Sequence, residues 1–273
     1  MESHVIEQFI CFGTDIFGLE RLLRGVQAIF QIFLAYPLLL PALYPFFTAD
    51  APPSPRLTAL TLDPLKAQVN ITRRAMRTFN FARSFSTAYA LVARAVVDPQ
   101  PLAVHLDIIA SSLMGVFSLL ETITLPDMLG VPGAALFGEA RAATINVEAQ
   151  RFWFCALACG VLSGAVKIAN LVGEPVPGPA PAPEGAEDWK DERERLRKGV
   201  AARKAHRAGV RKKVRALLRR MAADSLDLLI PGSAVGWVSS EPGTIGTVML
   251  CTSVLTGLDV WERCGRQVAG QKA

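Results

Sequence analysis

LKAQVNITRRAMRTFNFA, residues 65–82, carries the clearest periodicity in the chain. At about 100° per residue, Leu65, Val69, Ile71, Ala75, Met76, Phe79 and Ala82 fall in one arc of roughly 160°. Lys66, Arg73, Arg74 and Arg77 fall in a second arc, together with Asn70 and Asn80. A 3.6-residue period with apolar and basic sides is the pattern of an amphipathic helix, since a strand would alternate every second residue. Such a helix can lie at a headgroup boundary, its apolar side about 5–10 Å deep and its arginines on anionic phosphates. Each basic residue near that surface contributes about 1 kcal/mol. Insertion expands one leaflet relative to the other, and curvature relieves the mismatch. This reading makes Leu65, Lys66, Val69, Arg73, Arg74, Met76, Arg77, Phe79 and Arg83 the membrane-binding residues, with phospholipid as the partner. The plainer alternative packs the apolar arc on neighbouring helices and turns the arginines to water.

The rest of the chain predicts an all-α, membrane-associated helical bundle. Of its 273 residues 51% are apolar, and the mean hydropathy of +0.31 is high for a water-soluble body of this length. Residues 4–36 have apolar positions at helical spacing and predict one amphipathic helix. The apolar stretch continues to about residue 48, but Pro37, Pro41 and Pro45 each remove a backbone donor, so the helix should end near Tyr36 and give way to an extended or interfacial segment. A proline-rich linker, 49–64, precedes a helix start at Asp63 with Pro64 in its first turn. The block 65–173 holds a helix over 65–96 and two apolar helices. The first apolar helix, 102–125, has a charge-free centre of about 20 Å, which leaves buried helix and tilted span both open. The second, 152–173, has Trp153 placed for a membrane interface and Lys167 placed to snorkel.

A second proline-rich linker, 174–188, separates this block from a charged helix at 189–223 and apolar C-terminal helices within 224–273. The net charge is only +5, yet basic residues concentrate at 66–83 and 190–220. The run at 190–220 lacks the interleaved aromatics, zinc ligands and zipper of a nucleic-acid binder, so no nucleic-acid partner is expected. A solvated helix holding its neighbours in place by the positive-inside bias accounts for it, and a protein-binding adaptor helix is the competing reading.

Several chemistries find no support in the sequence. His4, His105 and His206 are scattered, the five cysteines form no CxxC, and no GxSxG, GxxxxGK[ST] or strand-borne GxGxxG occurs. Asp107 and Glu121 lie about 21 Å apart along one helix, too far to act on one atom, and helix-end polarity accounts for them. The expectation is a non-enzyme with no catalytic residues, metal or cofactor. The start, MESHVIEQF, is unlike a secretory signal, and the end, GQKA, is unlike a matrix-import address.

Three stretches, in this order, resemble the peroxisomal biogenesis factor 11 (peroxin-11) family. They are GLERLLRGVQAIFQ (18–31), with Ala28 where the family often carries an aromatic residue, ITRRAMRTFNFARSF (71–85), and a C-terminal half. That half comprises RFWFCALACGVLSGAVKIANL (151–171), then VRALLRRMAADSLDLLIPGSAVGW, then GTIGTVMLCTSVLTGLDVWE. The resemblance implies a peroxisomal membrane protein that promotes membrane elongation, remodelling and peroxisome division. It also implies cytosolic termini, homo-oligomers and recruitment of the membrane-fission machinery. The long charged insert points to a divergent, fungal-type branch. A small-solute channel or carrier of the same membrane is the alternative function.

Overall fold

The computed structural model describes residues 2–46, 54–131, 133–174 and 189–270. Residues 49–53 of the first proline-rich linker and 175–188 of the second lie outside the described residues. Every element among the described residues is helical: α1 (Glu2–Thr14), α2 (Ile16–Ala35), α3 (Leu39–Leu43), α4 (Pro55–Met76), α5 (Asn80–Val97), α6 (Leu102–Ile123), α7 (Leu125–Met128), α8 (Glu139–Gly173), α9 (Trp189–Asp227), α10 (Leu229–Val235) and α11 (Pro242–Gly270).

Residues 4–36 form two helices rather than the single one predicted, because Asp15 acts as an N-cap. Its Oδ1 accepts from the backbone N–H groups of Phe17 at 2.9 Å and Gly18 at 3.2 Å. Its Oδ2 takes Arg263 Nη2 of α11 at 2.6 Å, so one carboxylate both starts α2 and ties it to the C-terminal helix. Gly18 is required at this corner, since a Cβ there would sit 2.1 Å from the Phe12 carbonyl oxygen. α2 ends at Ala35 as the prolines predict, but the chain then bends by 106° into short helical turns over Leu39–Phe46 instead of an extended segment.

The first linker is shorter than the sequence reading has it. Ser54 caps the backbone N–H of Leu57 and Pro55 occupies the first turn, so α4 begins eight residues before Asp63 and carries Pro64 in its interior. Ser-Pro at 54–55 carries the same start signal as Asp-Pro at 63–64, and the earlier pair prevails.

α2 packs antiparallel on α11, α4 on α2, α5 on α6, α6 on α8, and α8 on α9. The α6–α8 contact is polar at one end and aromatic in the middle. Asp107 accepts from Ser163 Oγ at 2.6 Å and from Lys167 Nζ at 2.5 Å, while Trp153 stacks on Phe117 with ring centroids 5.2 Å apart. Trp153 and Lys167 therefore each have a partner on α6, absent from any one-helix reading, while the Lys167 side chain stays 36% exposed.

Among the described residues three helices are long and apolar enough to cross a membrane, α6, α8 and α11, and the bent pair of α2 with Leu39–Phe46 would make a fourth if it acts as one span. Only 22% of the apolar window of α6, 22% of that of α8 and 39% of that of α11 is buried inside the chain. At 22 residues α6 is about 33 Å long, enough for a hydrocarbon core. Apolar helices left this open need an apolar surrounding of another kind.

Candidate membrane-contact helix and its arginine network

The helix over 65–96 is broken, and the break decides where its side chains go. At the end of α4 the Arg77 N–H bonds back to Arg74 O and Ala75 O, and Asn80 N bonds to Arg77 O at 2.9 Å. The Thr78 hydroxyl takes the Ala75 carbonyl at 2.7 Å, competing with the helical ladder. The Thr78 carbonyl in turn receives the Thr122 hydroxyl of α6 at 2.9 Å. A single wheel over 65–82 therefore mixes two helices, one packed on α2 and the other on α6.

Arg73, expected to meet phosphate, points inward. Its Nε and Nη2 donate to Glu20 Oε1 at 3.1 and 2.7 Å, and its Nη1 donates to Gln27 Oε1 at 2.6 Å. The two charged side chains are only 6% and 7% exposed. Burial pulls the Arg73 guanidinium down to about 10, with Glu20 opposing the fall, so it remains charged at neutral pH. Arg74 donates to Asn146 Oδ1 of α8 at 2.8 Å and lies 3.5 Å from Glu121. Arg77 bridges α2 and α6, 3.7 Å from Glu20 and 3.1 Å from Glu121.

In the structure these three arginines are thus paired inside the bundle rather than standing free on its surface. Two carboxylates, distant in sequence, hold them within the bundle. A wheel drawn on one helix contains no information about Glu20 or Glu121.

The other residues of the expected site are dispersed. Lys66 pairs with Asp63 at 2.9 Å, and Val69 and Met76 are half-buried. Leu65 is exposed, as is Phe79, which sits at the break with 79% of its surface open. Arg83 is exposed with its guanidinium 4.7 Å from the Phe17 ring centroid.

Two groups of apolar residues escaped the sequence reading. Leu57 and Leu60 extend the open side of α4 upstream of the segment drawn on the wheel, and Leu60 is 75% exposed. On α5, Tyr89, Val92 and Val96 form a stripe at three- and four-residue spacing, all exposed. A wheel begun at Pro55 and restarted at Asn80 would have found both. α4–α5 is therefore a bent amphipathic pair that presents Leu57, Leu60, Phe79, Tyr89 and Val96 outward while Arg73, Arg74 and Arg77 are retained inside.

A family model for peroxisomal biogenesis factor 11 matches residues 48–261. No curated protein and no solved structure matches the chain. The matched region takes in the basic segment 71–85 and nearly all the C-terminal half, whereas GLERLLRGVQAIFQ at 18–31 lies outside it. With most of its length covered, and with the all-helical, apolar architecture described above, the chain belongs to the peroxisomal biogenesis factor 11 family.

Proposed function

We propose that this biogenesis factor elongates and remodels the peroxisomal membrane ahead of division, with α4–α5 as the shallow wedge and α6, α8 and α11 as the anchor. The observation that carries the reading is the outward apolar series Leu57, Leu60, Leu65 and Phe79, next to helices whose own apolar windows are largely open. An amphipathic pair placed in one leaflet and tied to spanning helices by buried ion pairs transmits its displacement to them instead of pivoting freely. Self-association would concentrate the effect, and the exposed basic length of α9, held on the cytosolic side with both termini, offers a surface for fission factors.

The test is tubulation of proteoliposomes by the full chain. Leu60→Ser with Phe79→Ser should abolish tubules while leaving helix content and carbonate-resistant anchoring intact. Tubulation at the original level would reject the wedge.

A second reading, a channel or carrier for small solutes, is favoured by two polar cavities that share Arg220. One is lined by Asp107, Ser111 and Lys167, and the other by Asp224 and Asp227. Planar-bilayer recording separates the readings. Conductance steps that change size in Arg220→Gln support a pathway, and curvature activity without conductance supports the wedge alone.

A further inference from the structure

Between α2, α5, α6, α8 and α9 lies a cavity of about 420 Å³, within the roughly 300–1,000 Å³ range of small-molecule sites. Five arginines line it, Arg21, Arg24, Arg77, Arg83 and Arg220. Among the described residues three carboxylates line it with them, Glu121, Asp224 and Asp227, and a fourth, Glu20, reaches Arg21 and Arg77 but is shared with Arg73. The pairing among these groups is uneven. Arg24 holds Asp227 at 2.5 Å and Arg77 holds Glu121 at 3.1 Å, but Arg220 stands 3.7 Å from Asp224.

Arg21 and Arg83 are served least. Among the described residues Arg21 has a single ion pair, at 3.5 Å with Glu20, whose other oxygen Arg73 already takes at 2.7 Å. Arg83 has no carboxylate within ion-pair distance among the described residues, and its guanidinium rests on the Phe17 ring. Phe17 and Arg21 are one helical turn apart on α2, so the two under-paired guanidinium groups flank the same wall of the cavity. Arg77 Nε, buried beside them, has no hydrogen-bond partner.

We propose that this cavity is a binding site for a phosphate group, with Arg21 and Arg83 as its principal ligands and Arg77 as a third donor. Guanidinium forks from two helices match a compact, doubly charged anion with oxygens on every side better than a carboxylate, which offers one edge. The positive excess is held in a partly enclosed space, where a counter-charge is worth more than in water. Arg83 is the exposed member, so the phosphate enters past it. The group is either a phospholipid headgroup or a free phosphate, since the chemistry is shared. This site is separate from the apolar wedge and stands or falls without it.

Calorimetric titration of the full chain in detergent micelles with inorganic phosphate, against chloride at equal ionic strength, tests the proposal. Saturable binding is expected. It should weaken at least tenfold in Arg21→Gln/Arg83→Gln, tighten in Asp224→Asn, which removes an opposing charge from the cavity, and stay unchanged in Lys204→Gln on the exposed face of α9. Nanodiscs distinguish the sources. Phosphate binding seen in phosphatidylcholine discs but abolished in discs containing phosphatidic acid assigns a headgroup, and binding that persists in both assigns free phosphate. Absence of saturable binding, or equal binding by the double arginine variant, overturns the site. If that variant loses its helical circular dichroism, Asp224→Asn decides, and failure to tighten overturns the proposal.

Discussion

Removing Glu20 should release Arg73 from the bundle at a calculable cost. The carboxylate oxygen lies 2.7 Å from the guanidinium, with both side chains almost fully enclosed. At an effective dielectric constant of about 20 the attraction is of the order of 6 kcal/mol, and desolvation of both groups offsets much of it. Deleting one partner leaves the other charge buried and unpaired, a change that costs about 3–5 kcal/mol. Glu20→Gln and Arg73→Gln should each destabilise the full chain by that amount, measured by chemical unfolding in mild detergent with circular dichroism. The double variant should be more stable than the sum of the two losses implies, by about 2–3 kcal/mol. Arg77, at 3.7 Å from the same carboxylate and more exposed, should couple to Glu20 by less than about 1 kcal/mol. In Glu20→Gln the freed arginine also becomes available to anionic liposomes, so their affinity should rise as stability falls. Losses that add within about 0.5 kcal/mol, or equal coupling of Glu20 to both arginines, would refute the assignment of this pair as the latch holding α4.

Burial pushes the Asp224 carboxyl of α9 up to about 6 from an ordinary 3.8, against the pull of Arg220. A raised carboxylate favours the fold when protonated, so this contribution is complete below about pH 4 and is lost as pH rises through about 6. Asp224→Asn should stabilise the chain by about 2 kcal/mol at pH 7.5 and by almost nothing at pH 4, allowing for the partial exposure of the side chain. A pH-independent gain in unfolding midpoint would contradict this origin. Gly18→Ala should detach α1 from the α1–α2 corner at a cost of about 1–3 kcal/mol, because the obstructing atom is the backbone oxygen of Phe12 and cannot rotate away. Faster amide exchange over residues 2–14, without change in α6 or α8, is the expected signature. Asp15→Ala removes both the α2 cap and the tie to Arg263, so it should cost more than the 0.5–2 kcal/mol typical of a cap alone, whereas Arg263→Ala should cost less than Asp15→Ala. Comparison of the two unfolding midpoints checks the order.

Helical character, the apolar helices and the arginine-bearing amphipathic segment were all legible in the sequence, because each depends on periodicity within one stretch of chain. The 3.6-residue recurrence around residues 65–76 and the uncharged centre of 108–120 are local facts, and water or lipid acts on them locally. The order of the 71–85 and 151–261 segments was enough to suggest the family, though 18–31 added nothing to the family match. The ends of α2 and α4 were half-legible, since Asp15 and Ser54 carry capping chemistry that competes with other plausible starts.

Which way α4 faces was decided only by tertiary structure. Arginine opposite leucine on a wheel is compatible with either side turning outward, and the choice depends on what the neighbours present. Here Glu20, some fifty residues upstream, and Glu121, some fifty downstream, stabilise the arginines inside more strongly than water can. The same long-range pairing takes Lys167 to Asp107 and Trp153 to Phe117. Charge and hydropathy along the chain define the faces of each helix, but complementarity between helices selects which face is covered, because that free energy exists only once the partners have met.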